Sequence, residues 1–305
     1  MSKTYKDFEN HIISLFKNSS GFEWEDNFYT AKQIEVAKPK KIGSGGECKT
    51  DVYVGLSDSN GIVEHEIKLT LKLDNADFLE NKISLQRAKD ILKENWQQVL
   101  IQAMHTIKSK FDATKKLYIY GENKDSEQIR ITLGWRLEIA NKPRDLSAKL
   151  IIPNEDAVNF IYRGTNLHTK FKDAKINDKV VLNSGIADFY FEGSLKDFEE
   201  YKLQDILKNM KKLDSSFNAG QNYLIFTANN YVFKKSGNAK AEKRDLCVYV
   251  NWTYDPKVGK LKADLNISSP LEKNSNDIKP TLLSLLKKLN LNTFNNLKAV
   301  LNIII

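Results

Sequence analysis

Carboxylates and lysines recur between residues 51 and 72 at a spacing that suits metal-assisted hydrolysis. Asp51 opens one run of alternating residues, and Glu66, Lys68 and Lys72 lie in a second run. A divalent metal held by carboxylates can neutralise a phosphate, activate a water and stabilise the leaving oxygen. Mg²⁺ needs only one or two protein carboxylates for this, and a nearby lysine can position the attacking water. These residue types predict Mg²⁺-dependent hydrolysis of a phosphodiester bond.

A β-hairpin is predicted to position these side chains. The segments 51–56 and 63–73 alternate between apolar and polar residues, and the Ser-Asp-Ser-Asn-Gly segment between them contains an Asn-Gly turn signal. Successive side chains of a strand point to opposite faces, so one face of the hairpin is apolar. The other face carries the polar side chains: Asp51, Tyr53, Glu64, Glu66, Lys68, Thr70 and Lys72.

This stretch resembles the PD-(D/E)xK nuclease superfamily, and within it the type II restriction endonucleases. The resembling residues run from the glycine-rich segment 41–51, through Glu66-Ile-Lys68, to a helix predicted from Ala76. The resemblance is confined to the N-terminal part of the chain. It implies that Asp51 and Glu66 bind Mg²⁺ and that Lys68 assists the attacking water.

A second register of the hairpin is left open by the sequence. Here Thr70-Leu-Lys72 takes the (D/E)xK position, as in relatives whose second acid has moved onto the following helix. Lys72 is then the catalytic lysine, and Asp77 or Glu80 is the displaced acid. A two-residue Asn-Gly loop would pair Asp51 with Thr70 and favours this version, but the sequence does not fix the register. Half-exposed strands also carry Glu and Lys as charge pairs with no catalytic role.

The composition of the chain favours a polyanionic partner. Its 305 residues include 47 Lys and Arg against 39 Asp and Glu, which gives a net charge of +8. Such a charge attracts nucleic acid through counterion release, although a basic surface also serves solubility. Cys48 and Cys247 suit neither a disulfide scaffold nor a zinc site, and neither a signal peptide nor a membrane span is evident. A cytoplasmic protein without a membrane partner is expected.

Apolar periodicity predicts an α/β fold, and the resemblance refines it to a restriction-endonuclease-like core, a central mixed β-sheet flanked by helices. An amphipathic helix over residues 5–17 carries Glu9, which is expected to be solvated or to approach the metal, as acids on this helix do in some relatives. A helical stretch is predicted from Ala76 to about Phe111, before further strands and a helical C-terminus. Residues 1–175 are the predicted catalytic core. Residues 176–305 are the predicted β-rich and helical DNA-recognition part, or both parts form one integrated domain.

Several basic clusters are predicted to contact double-stranded DNA, although each is also typical of a solvated surface. The candidates are Lys142, Arg144, Arg163, Lys234, Lys235, Lys243 and Arg244. The resemblance implies cleavage of both strands at a short specific sequence and a cognate DNA methyltransferase as genetic partner. It leaves a homodimer and a monomer open. The alternatives are a repair or structure-selective nuclease on the same core and a non-catalytic basic DNA-binding protein.

Overall fold

The computed structural model describes residues 3–43, 46–74, 78–122, 126–239 and 241–304. The architecture is mixed α/β, with several sheets and helices, as predicted. The chain divides into two compact units: unit 1 consists of Met1–Asp77 and Ile152–Gly220, and unit 2 of Phe78–Ile151 and Gln221–Ile305. Among the described helices, none is both long and apolar enough to span a membrane.

The helices and strands alternate along the chain. The α-helices are α1 (Tyr5–Lys17), α2 (Leu85–Leu92), α3 (Trp96–Thr106), α4 (Lys108–Ala113), α5 (Asn154–Asp156), which continues as a π-helix (Ala157–Arg163), α6 (Thr169–Lys172), α7 (Leu203–Asn209), α8 (Ser275–Lys288) and α9 (Phe294–Ile304). Short 3₁₀ helices cover Ala31–Gln33, Lys93–Asn95 and Phe198–Glu200.

The strands are β1 (Gly21–Trp24), β2 (Asn27–Thr30), β3 (Ile34–Ala37), β4 (Val52–Ser57), β5 (Val63–Leu73), β6 (Phe78–Ile83), β7 (Leu117–Tyr120), β8 (Gln128–Ala140), β9 (Ser147–Leu150), β10 (Ala174–Ile176), β11 (Lys179–Val181), β12 (Phe189–Gly193), β13 (Lys211–Lys212), β14 (Asn222–Lys234), β15 (Gly237–Ala239), β16 (Asp245–Leu246), β17 (Val248–Asp255), β18 (Lys260–Asn266) and β19 (Lys273–Asn274).

A five-stranded mixed sheet, in the order β13-β12-β5-β4-β3, organises unit 1. The predicted hairpin β4–β5 lies within it, and β5 is parallel to β12 on its other side. Because the apolar face of the hairpin must be removed from water, α1 packs on it through its own apolar stripe. The buried residues of this core include Phe8, Ile12, Phe16, Val52, Val54, Leu56, Ile67, Leu69, Leu71 and Ile206. The first helix is confirmed over residues 5–17, with Thr4 and Asp7 forming a capping box.

An antiparallel sheet organises unit 2. Its central path is β15-β14-β8-β17-β18; β6 and β7 also pair with β8, and β9 pairs with β14. β8 and β14 run side by side along their lengths, with an irregularity in register between Asn229 and Asn230. α8 packs on β17 and β8, which covers part of the sheet.

Two sequence predictions are corrected by this arrangement. The division of the chain differs from the predicted boundary at residue 175, because β12 hydrogen-bonds with β5, and β14 with β8, across long sequence separations. Both units are therefore discontinuous in sequence. In addition, the residues from Phe78 to Ile83 form β6 and not the start of a helix, since they pair with β8. Asp77, one of the predicted displaced acids, lies outside the described residues.

Candidate active site

The register of the hairpin places Asp51 opposite Thr70. Val52 pairs with Leu69, and the amide of Asp51 donates to the carbonyl of Leu69 at 2.9 Å. This is the register expected from a two-residue loop, but the observed loop is longer and the ladder shifts between Leu56 and Ser57. Register is thus set by the buried apolar face, since a slip of one residue would turn that face to solvent.

The loop of the hairpin is organised by the carboxylate of Asp58. Its Oδ1 accepts hydrogen bonds from the amides of Asn60, at 2.9 Å, and Ile62, at 2.8 Å. These bonds, led by the one from Ile62, lower the pKa of Asp58. An Asx-type turn therefore closes the hairpin in place of the predicted two-residue turn.

Asp51 is held at the start of β4 by groups from the neighbouring strand. Its Oδ2 accepts a hydrogen bond from the amide of Leu71 at 2.7 Å and from the hydroxyl of Thr70 at 3.2 Å. Burial raises the pKa of Asp51, although the charge of Lys72 and these hydrogen bonds act in the opposite direction. The carboxylate is therefore oriented, and it sits where a further positive charge would stabilise its ionised form.

Glu9 of α1 is the second carboxylate of this site. Only 2% of its surface is exposed, and Nζ of Lys38 lies 2.6 Å from each of its carboxylate oxygens. Burial raises the pKa of Glu9 despite Lys38, and the charge of Asp51 raises it further. Glu9 directly follows the buried Phe8 in α1. The packing of the apolar stripe of α1 on the hairpin therefore buries Glu9 as well. Of the two fates predicted for Glu9, solvation is excluded.

Tyr5, one turn before Glu9, closes the same site. Its hydroxyl donates to the carbonyl of Leu71 at 3.2 Å. Burial raises the pKa of Tyr5, and so do the charges of Asp51 and Glu9. The phenol therefore stays protonated, and it serves as a hydrogen-bond donor between α1 and β5.

Lys72 lies two residues beyond Thr70 on the polar face of β5. It is partly buried and, within the part of the chain that the structure describes, no carboxylate lies within ion-pair distance of its ammonium group. Its neighbour across the parallel ladder is Glu192 of β12. Glu192 accepts a hydrogen bond from the hydroxyl of Tyr190 at 3.0 Å. Sequence analysis missed Glu192, because nothing in the sequence pairs β12 with β5.

Glu66 and Lys68 take part in a different network. The hydroxyl of Tyr53 donates to Glu66 Oε1 at 2.6 Å, and Lys68 Nζ lies 2.9 Å from Asp188 and 3.6 Å from Glu66. Nη2 of Arg163, at the end of the π-helix, lies 2.8 Å from Oδ1 of Asp188, the carboxylate oxygen that Lys68 does not contact. We call these five residues the lateral network.

The structure does not bring Glu66 to Asp51. Glu66 is opposite Gly55, four residues from Asp51 along β4, which is about 13 Å at the rise of an extended strand. The two carboxylates are too far apart to share one metal ion. The predicted pairing of Asp51 with Glu66 as metal ligands therefore lacks geometric support. Glu80, the alternative acid, lies on β6 of unit 2, where it is ion-paired with Arg87.

Asp51, just before β4, and Glu9 of α1 offer the kind of oxygen ligands that a hard divalent cation takes. Mg²⁺ prefers oxygen ligands and is held by one or two carboxylates while retaining several waters. Asp51 and Glu9 are two such carboxylates, and burial raises the pKa of both. Across the described ranges, no set of three or more His, Cys, Asp and Glu side chains is arranged to hold a metal.

No family model, curated protein or solved structure matches this chain.

The predicted DNA-contacting residues are divided between the units. Arg163 belongs to unit 1 and is held in the lateral network. The guanidinium of Arg144 lies over the ring of Phe78, and Lys234 and Lys235 lie at the turn between β14 and β15. Lys142 is exposed between β8 and β9. Lys243 and Arg244 line a pocket of unit 2.

Proposed function

We propose that this protein is a Mg²⁺-dependent endonuclease that hydrolyses double-stranded DNA, and that unit 1 carries its active site. The observation that carries the proposal is the position of Asp51 beside Thr70, with the charge of Lys72 acting on its carboxylate. The PD-(D/E)xK resemblance calls for two metal-binding acids and a lysine; Asp51 and Lys72 supply one acid and the lysine on adjacent strands, and Glu9 of α1 is the proposed second acid. The central position of the hairpin in a mixed sheet, with α1 packed on it, adds support.

The register supports assigning catalysis to Lys72 and not to Lys68. Lys68 lies between Asp188 and Glu66, so these two carboxylates already compensate its positive charge. Lys72 is near Asp51 without an ion pair among the residues described, and its ammonium group is available to a phosphate or a water. In this assignment Asp51 and Glu9 hold the metal, and Thr70 orients Asp51.

Each residue of the site has a defined task. Mg²⁺, when bound, supplies a Lewis acid that neutralises the phosphate and lowers the pKa of a bound water. Lys72 orients the attacking water and stabilises the negative charge that develops on the phosphate. The oxygen of water bonds to phosphorus and releases a proton to solvent, the bond between phosphorus and the leaving oxygen breaks, and that oxygen takes up a proton from solvent. Tyr5 and Lys38 keep the two carboxylates in place.

Within the nucleases, we propose that the protein is a type II restriction endonuclease with a short recognition sequence. This assignment rests on the resemblance, as does the expectation of a methyltransferase partner. Symmetric cleavage of both strands would suit a homodimer. A structure-selective nuclease on the same core would use the same residues, so the two assignments differ in substrate and not in the chemistry of unit 1.

Incubation of the purified protein with supercoiled plasmid and Mg²⁺ tests the proposal. Discrete fragments support a restriction enzyme, and nicking without sequence preference supports a structure-selective or repair nuclease. Asp51→Asn is the loss-of-function variant, and Asp264→Asn, at an exposed ion pair with Lys262 in unit 2, is the matched control. Binding of plasmid without any Mg²⁺-dependent cleavage by the wild-type protein would refute the enzyme and leave a DNA-binding protein.

A further inference from the structure

Three cationic side chains of unit 2 converge on one carboxylate oxygen. Oε2 of Glu242 lies 3.3 Å from Nη1 of Arg136, 3.4 Å from Nε of Arg244 and 3.7 Å from Nζ of Lys82. We call these four residues the Glu242 cage. The cations come from β8, from β6 and from the segment before β16, so the fold, and not a local charge run, brings them together.

The cage borders a cleft of net positive charge. The cleft has a volume of about 170 Å³, and the side chains that line it are Lys82, Ile83, Ser84, Arg136, Lys243, Arg244 and Asp245. The carboxylate of Asp245 accepts a hydrogen bond from the amide of Leu85 at 3.1 Å. Asp245 keeps its negative charge, but the cationic side chains Lys82, Arg136, Lys243 and Arg244 outnumber it in the lining of the cleft.

Two irregularities of the sheet build this cage. In β6 the pairing with β8 shifts between Glu80 and Ile83, and Lys82 adopts a left-handed backbone conformation with φ 53°. Bulges of this kind redirect side chains and recur beside functional sites. In β14 the pairing shifts at Asn229, which is buried and donates to the carbonyl of Glu242 at 2.9 Å.

The backbone of Glu242 is fixed while its side chain remains exposed. The hydroxyl of Ser275, fully buried at the start of α8, also donates to the Glu242 carbonyl, at 2.6 Å. The Glu242 side chain itself is 56% exposed. A rotation about its side-chain bonds can therefore remove the carboxylate without moving the loop. Against the opposing effect of burial, the charges of Lys82, Arg136 and Arg244 lower the pKa of Glu242, so the carboxylate is ionised at neutral pH.

We propose that the Glu242 cage binds a phosphate of the DNA backbone, and that the Glu242 carboxylate occupies the phosphate position until DNA displaces it. Two guanidinium groups and an ammonium group around one oxygen position suit a phosphate, which can accept several charge-assisted hydrogen bonds at once. Arg136 is also 3.4 Å from Oε1 of the buried Glu138, so the three cations face two carboxylates and one positive charge remains in excess. An exposed carboxylate in such a cage costs the protein affinity for DNA, because it must be displaced before phosphate enters.

The proposal rests on DNA being the substrate in the proposed function, but it concerns binding and not hydrolysis. Binding of a labelled duplex of mixed sequence, measured in EDTA, separates the two. Glu242→Gln removes one negative charge from the cage, and Asp264→Asn removes one from an exposed ion pair elsewhere in unit 2. We expect Glu242→Gln to tighten binding by about fivefold and Asp264→Asn by less than about twofold, because only the first charge competes with phosphate.

The salt dependence of binding gives a second readout. Arg244→Gln should weaken binding and lower the slope of log Kobs against log salt by about 0.9, the value for loss of one phosphate contact. Lys149→Gln, on an exposed position of β9, should leave the slope unchanged. Inorganic phosphate at constant ionic strength should not displace the duplex at micromolar concentration. Displacement at that concentration would assign the cage to free phosphate and overturn the proposal.

The two proposals fail in distinguishable ways. If wild-type protein cleaves plasmid but Glu242→Gln matches Asp264→Asn and Arg244→Gln keeps the wild-type slope, the cage does not bind DNA and the nuclease assignment stands. If the variants shift binding as expected but the wild-type protein never cleaves, the cage is a DNA contact and the nuclease assignment fails.

Discussion

The hydroxyl of Thr70 donates to Oδ2 of Asp51 at 3.2 Å, and Lys72, two residues beyond Thr70 on β5, is the lysine whose charge acts on that carboxylate. In the second register that the sequence left open, Thr70 takes the position of the acid of the (D/E)xK element, two residues before Lys72. Glu66 is farther along the hairpin and is engaged by Tyr53. The polar face of β5 thus contains two separate groups of charged residues, and only one of them includes Asp51.

The first prediction separates the two lysines by activity. Lys72→Met should reduce plasmid cleavage by at least about 100-fold, because general acid-base or electrostatic assistance from one side chain contributes on the order of 10²–10⁴. Lys68→Met should retain activity within about tenfold of wild type. Initial rates at saturating Mg²⁺ are the measurement. If Lys68→Met lost more activity than Lys72→Met, catalysis would be assigned to Glu66 and Lys68 instead.

The second prediction concerns stability and uses the same two variants. Lys68 is 11% exposed and bridges Asp188 and Glu66. Its replacement by Met should lower the free energy of unfolding by about 1–2 kcal/mol, because partly buried carboxylates lose their partner. Lys72→Met should change it by less than about 0.5 kcal/mol. Urea denaturation measures both values, and equal losses would argue against a structural role for the lateral network.

A third prediction concerns the cost of keeping Asp51 ionised. Burial raises the pKa of Asp51, so the ionised carboxylate destabilises the metal-free protein at neutral pH. Asp51→Asn keeps an oxygen for the amide of Leu71 and removes the charge. We expect a higher melting temperature without metal, by about 2–4 °C for each kcal/mol gained, together with loss of cleavage and retention of DNA binding. A lower melting temperature of Asp51→Asn than of the wild type would show that the hydrogen bonds to the Asp51 carboxylate stabilise the protein by more than its desolvation costs.

The fourth prediction is a pH dependence of the metal effect. The pKa values of Asp51 and Glu9 are raised above their unfolded values, which are about 3.9 and 4.3. Their contribution to stability is therefore complete below the unfolded pKa values and is lost as the pH rises through the raised ones. Mg²⁺ binds the ionised forms, so its stabilising effect should grow over the same pH window. Melting temperatures with and without Mg²⁺ across pH 4–8 test this. A metal effect independent of pH would contradict it.

The fifth prediction assigns Glu9 to metal affinity. Glu9→Gln keeps the size of the side chain and removes one carboxylate from the site. The Mg²⁺ concentration for half-maximal cleavage should rise by about tenfold or more, with a smaller change in rate at saturating Mg²⁺. Glu23→Gln, at an exposed position of β1, is the matched control. An unchanged Mg²⁺ requirement would contradict a metal-binding role for Glu9.

The sequence by itself determined the local elements of the candidate site. The 3.6-residue spacing of Phe8, Ile12 and Phe16 predicted α1, and the period-two alternation around Asp51 and Lys72 predicted β4 and β5. These patterns are readable because burial of an apolar face imposes them on each element separately. Local patterns were wrong for β6, whose residues form a strand because β8 offers them hydrogen-bonding partners, and they did not give the Asx-type turn that Asp58 forms.

Only the tertiary structure decided which side chains meet. The choice between two lysines depended on a register that the turn sequence left open, and the nearness of Glu192 to Lys72 depended on a parallel pairing between distant segments. The Glu242 cage depends in the same way on two sheet irregularities. Which strands pair, and in which register, depends on packing between segments that are far apart in the sequence. A local stretch of sequence therefore does not predict this pairing.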